Sequence, residues 1–219
     1  MSEFLRQLDI LPPDAIVYPV TIIGLGGIGS HLPVELAKIG FRDFTLYDDD
    51  RVEPHNIPIQ FFRKEDIGKL KAEAAAQILK EFSPRECKVE IWRERFSGQR
   101  NLEGIVISGV DSMISRATIW KSVKSNFLVP LYIDGRTGGE LFQIFSIRPW
   151  RFEERESYEK YLFPDSEGAN LPCTGQGIYY LGLGIASFIA SQVKKYIMED
   201  KFSRYISYNF KTEKLIKNT

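Results

Sequence analysis

A group of closely spaced glycines is the first feature of this sequence that could serve chemistry. These glycines lie between residues 24 and 30 and are Gly24, Gly26, Gly27 and Gly29. Backbone N–H groups in such a loop, followed at once by the positive end of a helix, make a site for a phosphate group. Asp48 lies further along, where a carboxylate can accept hydrogen bonds from ribose hydroxyls. Together these residues predict a nucleotide site, but they do not separate ATP from NAD.

The elements that must position these residues form a βαβ pattern. The apolar run 16–23 predicts a buried strand, and residues 30–39 predict a helix that Gly40 ends. Residues 44–47 predict a second strand, which leads directly into Asp48.

The alternation of helices and strands continues along the chain. The predicted helices and strands that follow cover residues 69–80, 88–92, 105–110, 115–125 and 128–134. Because strands separated by helices pair in parallel, we expect an α/β fold with a Rossmann-like, mainly parallel sheet and helices on both faces.

The C-terminal third predicts an added strand and helix region. Residues 140–147 predict one more strand, with an antiparallel direction as one option, and residues 177–193 predict a buried helix. Between them, residues 150–172 show no clear period and are interpreted as an excursion over the surface. We expect a single domain over residues 1–219, with a nucleotide-binding core at 15–135 and a substrate side at 136–219.

Bulk composition excludes several functional classes. The 29 basic and 29 acidic side chains cancel, so no overall charge favours nucleic acid or an anionic membrane. With only Cys87 and Cys173 and no Cys-x-x-Cys pair, we expect no structural zinc. The longest apolar stretch, 177–193, is shorter than a membrane span of about 20 residues. The N-terminus lacks the order of a secretory signal, so the cytoplasm is the expected location.

An ordered series of motifs narrows the choice of nucleotide, because dehydrogenases do not need it. The series is Asp48-x-Asp50, Val52-Glu53, Asn56-Ile-Pro-Ile-Gln60, Asp66-Ile-Gly68 and Lys71-Ala72. At these residues the chain resembles the adenylyltransferases of the ubiquitin-activating superfamily, including the ThiF, MoeB and HesA types. The resemblance covers most of the chain, from about Arg6 to the helix ending near Met198.

The resemblance implies ATP and Mg²⁺ as cofactors and assigns the glycines to the phosphates and Asp48 to the ribose. Lys71 is assigned to the α-phosphate region, where a fixed cation favours the transition state. The alternative for Lys71 is a solvated lysine on a helix. In the segment from Gly109, Asp111 resembles the family's second acidic motif, so Asp111 and Asp50 are expected to position Mg²⁺. The rival interpretation of Asp111 is a helix N-cap.

Three further residues are candidates for catalysis or substrate binding. Arg6, followed by Gln7, resembles a pair whose arginine reaches the ATP of the opposite protomer in family members, which implies a homodimer. Cys173 lies where some sulfur-carrier enzymes hold a thioester or persulfide; the alternative is a small residue packed at a helix start. Arg136 follows a predicted strand end, where it could pair with a substrate carboxylate.

The motif from Asn56 to Gln60 departs from the family, which often has arginine before the glutamine where this chain has Ile59. Arg63, Lys64 or Arg6 could supply the missing charge, while Asn56 and Gln60 still offer uncharged donors.

The resemblance implies ATP-dependent adenylylation of a C-terminal carboxylate, giving an acyl adenylate and pyrophosphate. The expected partner is a small ubiquitin-like or sulfur-carrier protein with a C-terminal glycine. The alternatives are activation of another acyl group, as in a peptide-maturation enzyme or a tRNA-nucleoside cyclase, a non-catalytic pseudoenzyme that binds a partner, and a dehydrogenase.

Overall fold

A computed structural model describes residues 3–164 and 177–218. Its eight strands are β1 Val20–Ile23, β2 Asp43–Tyr47, β3 Lys88–Trp92, β4 Ile105–Ser108, β5 Leu131–Gly138, β6 Leu141–Ile147, β7 Tyr205–Asn209 and β8 Lys214–Asn218. They form one sheet in the order β3-β2-β1-β4-β5-β6-β7-β8. Strands β1 to β5 pair in parallel, and β6 to β8 continue the sheet in antiparallel fashion.

Five helices cover this sheet in the described part of the chain. They are α1 Leu32–Ile39, α2 Lys71–Phe82, α3 Met113–Val123, α4 Phe152–Glu159 and α5 Tyr179–Ile197. The predicted Rossmann-like α/β fold is therefore confirmed, including the antiparallel direction of β6. None of the helices described is both long and apolar enough to span a bilayer.

Helices lie on both faces because side chains alternate along each buried strand. Ile22 of β1 packs in a core with α1, α2 and α5, whereas Ile23 packs in a second core with α3 and α4. On β4, Ile105 and Ile107 face the first core and Val106 faces the second. Strands buried on both faces read as continuous apolar runs, which is why the sequence predicted them.

Some element boundaries differ from the prediction. The first strand begins at Val20 rather than at residue 16, because Pro19 has no N–H to donate to a neighbouring strand. In contrast, β5 continues beyond Asp134 to Gly138, since residues 135–138 pair with β6 in a hairpin.

The segment interpreted as a surface excursion contains α4. This helix buries Glu154 and Tyr158, and Glu154 accepts a hydrogen bond from the backbone N–H of Arg148 at 2.8 Å. The polar contacts of Glu154 and the packing of the single aromatic ring of Tyr158 in the second core anchor the helix, and together they leave no apolar period that a sequence pattern could reveal.

Candidate functional site

A cleft opens at the carboxyl ends of the parallel strands. It lies at β1, from which β2 and β3 extend the sheet on one side and β4 and β5 extend it on the other. β1 lies between β2 and β4, so the loops after these three strands diverge around one point. Open α/β sheets bind ligands at such a switch point. The cleft has a volume of about 550 Å³ and is bounded by these loops, the segment after β3 and the start of α5.

The glycine loop has two kinds of glycine, which serve packing and ligand access separately. Gly24 adopts a φ of +86°, which favours glycine, and its N–H donates to the carbonyl of Tyr47 at 2.9 Å. A Cβ on Gly29 would lie 1.8 Å from the carbonyl oxygen of Gly24, so only glycine fits there. A Cβ on Gly26 or Gly27 would meet nothing within 4 Å, and both residues line the cleft.

Asp48 ties the glycine loop to the end of β2. Its Oδ2 accepts the N–H of Leu25 at 2.7 Å, and its Oδ1 accepts the N–H of Asp50 at 2.8 Å. Burial raises the pKa of Asp48, and the hydrogen bonds from Leu25 and Asp50 oppose that rise. Each carboxylate oxygen keeps a lone pair for a further donor from the cleft, such as a ribose hydroxyl.

Lys71 and Asp50 form an ion pair on the cleft wall. Lys71 Nζ lies 2.7 Å from Asp50 Oδ2, and the Lys71 backbone N–H donates to the Asp50 carbonyl at 2.9 Å. The Lys71 side chain is 9% exposed, whereas that of Asp50 is 60% exposed. Lys71 is therefore held at the start of α2 as a fixed cation facing the cleft and is not a solvated helix lysine.

Asp111 lies on the cleft wall after β4, across the glycine loop from Asp50. The N-cap of α3 is the next residue, Ser112, whose hydroxyl accepts the N–H of Ser115 at 3.2 Å. Asp111 therefore does not serve as the helix cap. Its carboxylate is exposed and has no hydrogen bond or ion pair with the described residues.

In the motif from Asn56 to Gln60, one residue stabilises a local turn and two line the cleft. Asn56 is buried and caps a short 3-10 turn, where its Oδ1 accepts the N–H of Glu53 at 2.9 Å. Gln60 is also buried but lines the cleft with Ile59, and its Oε1 has no partner within residues 3–164 and 177–218. Gln60 is therefore available to a ligand, and Ile59 makes that part of the wall apolar.

Asp66 organises the loop that leads from Gln60 to Lys71. Its buried carboxylate accepts hydrogen bonds from Arg63 Nε at 2.9 Å and Lys69 Nζ at 2.8 Å. Burial alone would raise the pKa of Asp66, but these bonds outweigh it and lower the pKa to about 2.

Asp66→Asn is expected to lower the free energy of unfolding at pH 7 by about 2 kcal/mol, because a buried charge-assisted network loses its acceptor. Since the folded pKa of Asp66 lies below its ordinary value of 3.8, this stabilisation is present above pH 3.8 and is lost as pH falls towards 2. Urea unfolding at several pH values measures the effect. Glu65→Gln is the matched control: Glu65 also contacts Arg63, at 3.1 Å, but its side chain is 66% exposed. Equal stability of the two variants at pH 7 would contradict the assignment.

A comparison with protein families identifies the family to which this chain belongs. The ThiF family model matches residues 17–217, which is nearly the whole chain. This chain belongs to the ThiF family. The family predicted from the ordered motifs is therefore confirmed.

Curated relatives of this ThiF-family chain include ubiquitin-like activating enzymes and a tRNA threonylcarbamoyladenosine dehydratase. The chain is 35% identical over 109 residues to a NEDD8-activating enzyme E1 catalytic subunit of Dictyostelium discoideum, covering 47% of this chain and 24% of that protein. It is 31% identical over 150 residues to the SUMO-activating enzyme subunit uba-2 of Caenorhabditis elegans, covering 64% and 25%. It is 30% identical over 126 residues to a tRNA threonylcarbamoyladenosine dehydratase of Haemophilus influenzae, covering 54% of this chain and 48% of that protein. The chain spans about a quarter of the length of the two activating enzymes.

Solved structures share the fold over nearly the whole chain. MccB of E. coli matches with a TM-score of 0.75 and 20% identity, covering 94% of this chain and 63% of that one. PaaA matches with a TM-score of 0.74 and 20% identity, covering 94% and 65%.

Two residues predicted to act in catalysis or substrate binding, Arg6 and Arg136, do not line the described cleft. Arg6 is exposed next to Gln7, whose side chain donates to the carbonyl of Ile39 at 2.8 Å, so it lies by the C-terminal end of α1. The glycine loop precedes the opposite end of that helix. Arg136 is bound to Asp134 at 2.7 Å and does not line the cleft. Cys173 lies outside the described residues.

Several cleft residues were missed by the sequence analysis. They lie in the segment after β3, in the first turns of α3 and at the start of α5. These residues are Glu94, Arg95, Phe96, Ser115, Arg116, Ile178, Leu181 and Gly182. The position of Arg95 just after a parallel strand was the available signal, because such strand ends meet at one edge. Gly182 had no signal: a Cβ there would lie 2.1 Å from the carbonyl oxygen of Gly27, which only the packing of α5 on the loop reveals.

Proposed function

We propose that this chain uses ATP to adenylylate the C-terminal carboxylate of a small protein or peptide, releasing pyrophosphate. One observation carries the proposal: a single cleft joins the unobstructed glycines Gly26 and Gly27, the fixed cation Lys71 and the acceptor Asp48. Membership of the ThiF family and similarity to activating enzymes support the same reaction.

The proposed chemistry needs position and charge rather than a general base. A carboxylate is already ionised near neutral pH, so one of its oxygens attacks the α-phosphorus directly. The new bond joins that oxygen to the α-phosphorus, the bond from the α-phosphorus to the bridging oxygen breaks, and pyrophosphate leaves with the electron pair. Lys71 favours this step, because negative charge grows on the phosphate oxygens during the attack.

The acidic residues of the cleft fit a magnesium ion bound with the nucleotide. Mg²⁺ prefers oxygen ligands, and one oxygen from each of Asp48, Asp49 and Asp50 lies within 4.8 Å of the others. Both oxygens of Asp48 already accept backbone N–H groups, and Oδ2 of Asp50 is paired with Lys71 Nζ, so Oδ1 of Asp50 is the oxygen proposed to bind the ion. Asp50 and Asp111 would hold the ion, which supplies neutralisation of phosphate charge when bound.

The substrate and assembly follow from the same proposal. The acyl substrate would be the tail of a ubiquitin-like or sulfur-carrier protein, with Cys173 as an acceptor of the acyl group after adenylation. Arg136 would have to be freed from Asp134 to contact that substrate. Arg6, near the C-terminal end of α1, would act on the nucleotide of a second copy, so a homodimer is part of the proposal. Use of ATP favours the cytoplasm.

Exchange of labelled pyrophosphate into ATP tests the proposed reaction. With a carrier or peptide that ends in a free carboxylate, exchange is expected, and amidation of that carboxylate should stop it. Absence of both exchange and MgATP binding would refute the enzyme assignment.

The second candidate function is a non-catalytic partner-binding protein, and Ile59 favours it. This residue makes a part of the cleft wall apolar beside Gln60. Of the cations proposed to compensate, Arg63 is bound to Asp66, Glu65 and Glu81, and Lys64 does not line the described cleft. MgATP binding without exchange for any carboxylate substrate would select this function.

Arg95→Gln is expected to weaken MgATP binding about three-fold, as an exposed charge pair contributes below about 1 kcal/mol. Arg95 lines the cleft and is 69% exposed, and within the described part of the chain its one ion-pair contact is with Asp49, at 3.8 Å. It is therefore free to turn towards phosphate. Isothermal titration measures the change. Arg93→Gln is the control, since Arg93 pairs with Glu73 at 2.7 Å and does not line the cleft; an equal loss in both variants would contradict a specific role.

A further inference from the structure

Arg116 is a buried cation in the wall of the cleft. Its side chain is 5% exposed, and it lies on the second turn of α3. Its Nε donates to Asp134 Oδ1 at 3.1 Å, and its Nη2 donates to the carbonyl of Gly135 at 3.1 Å. These two acceptors belong to β5, so they fix the guanidinium plane against the sheet. The Nη1 of Arg116 makes a long contact of 3.4 Å with the carbonyl of Ser112. Since each terminal guanidinium nitrogen carries two N–H groups, one on Nη1 and one on Nη2 remain for a ligand in the cleft.

The carboxylate of Asp134 accepts hydrogen bonds from four side chains, of which Arg116 is one. The carboxylate is 0% exposed. Oδ1 accepts from Ser108 Oγ at 2.9 Å as well as from Arg116, and Oδ2 accepts from Arg136 Nε at 2.7 Å and Tyr158 Oη at 3.0 Å. Four donors to one carboxylate hold every member of the network in one geometry.

The network carries an excess positive charge. Two guanidinium groups, Arg116 and Arg136, share the single carboxylate of Asp134. A buried charge without a counter-ion is costly, so this arrangement favours an anion nearby. Arg136 is directed away from the cleft, with its guanidinium 4.6 Å from the centre of the Phe145 ring. The Nη2 of Arg136 is buried without a hydrogen-bond partner among the described residues, but Arg136 does not line the cleft. Of the two cations, only Arg116 lines the cleft, so it is the one that an anion entering the cleft can contact.

The surroundings of Arg116 in the cleft favour a phosphate as this anion. The N-terminal end of α3 faces the cleft through Asp111 and Ser115, and the positive end of a helix attracts phosphate. Arg116 lies on the β4 and β5 side of the glycine loop, whereas Lys71 lies on the β2 side. A polyphosphate lying over Gly26 and Gly27 would thus have a fixed cation on each side.

We propose that Arg116 binds a phosphate group of the nucleotide, with its orientation fixed by Asp134. This assignment rests on the proposed use of ATP. It adds a second fixed cation to the cleft and gives the buried network a function beyond packing α3 against β5.

The test compares MgATP binding by the full chain and by Arg116→Gln, using isothermal titration and the rise in Tm that MgATP causes relative to each protein's own unliganded Tm. A purely structural role would lower the unliganded Tm and leave this rise unchanged, because the rise depends on Kd. We expect Arg116→Gln to weaken binding at least about ten-fold.

Tyr158→Phe is the matched control, since it removes one donor from Asp134 but keeps both guanidinium groups. Its MgATP affinity should stay within about two-fold of wild type. Arg116→Lys keeps the positive charge but loses the planar set of N–H donors, so its affinity for MgATP should be about three-fold lower than that of the wild type. This variant provides the test if Arg116→Gln does not fold. Wild-type affinity in folded variants of Arg116 overturns the proposal. A wild-type chain that binds no MgATP would instead refute the proposed function.

Discussion

Asp111→Asn is expected to lower the rate of ATP–pyrophosphate exchange by at least about 100-fold, with the fold unchanged. The carboxylate lies on the cleft wall and is exposed, and it makes no hydrogen bond or ion pair with the described residues. Asparagine has the same shape but lacks the negative charge that makes a carboxylate a strong ligand for Mg²⁺. The loss should therefore fall on turnover and not on stability.

Glu103→Gln is the control for this substitution, because it removes the same charge at the other end of β4. Glu103 precedes the strand and is exposed, while Asp111 follows it. The control should exchange pyrophosphate at the wild-type rate and unfold at the same urea concentration as Asp111→Asn. Exchange that survives in Asp111→Asn, at saturating Mg²⁺, would remove Asp111 from the proposed metal site.

Much of the fold could be predicted because its strands are buried on both faces. Ile105, Val106 and Ile107 form a continuous apolar run whose length and flanking turns indicate a central strand. By contrast, α4 begins at Phe152 and is fixed by polar contacts of Glu154 and by the one core ring of Tyr158, so it lacks the apolar period that predicts a helix. The predicted division between a nucleotide-binding core at 15–135 and a substrate side at 136–219 falls inside β5. It does not coincide with the end of a strand or helix and stays a prediction.

The candidate site could be predicted for residues whose position at the end of a helix or strand is visible in the local sequence. Gly24, Asp48 and Lys71 lie at the ends of predicted elements and come together because those ends share one edge of the sheet. Arg116 and Arg136 were not assigned to one network, because their shared partner Asp134 is visible only when α3 packs on β5. Long-range pairing of this kind has no local pattern.

Gly29→Ala is expected to destabilise the protein by about 3 kcal/mol or more and to abolish MgATP binding. The added Cβ would lie 1.8 Å from the carbonyl oxygen of Gly24 and 2.9 Å from its carbonyl carbon. Both atoms belong to backbone, so no rotamer change relieves the contact. The glycine loop must therefore move away from the start of α1, and the N–H groups proposed to bind phosphate move with it. Urea unfolding and isothermal titration with MgATP measure the two effects.

Gly26→Ala separates backbone strain from the general effect of adding a methyl group to this loop. A Cβ at Gly26 would meet nothing within 4 Å, and the residue does not adopt a positive φ. Its stability should therefore stay within about 0.5 kcal/mol of wild type, even though the methyl group would enter the space proposed for phosphate. If Gly29→Ala were as stable as Gly26→Ala, the close packing of Gly29 on Gly24 could not be what shapes the loop. A stable Gly26→Ala that binds MgATP more weakly would support the division of the four glycines into two that pack the backbone and two that admit the ligand.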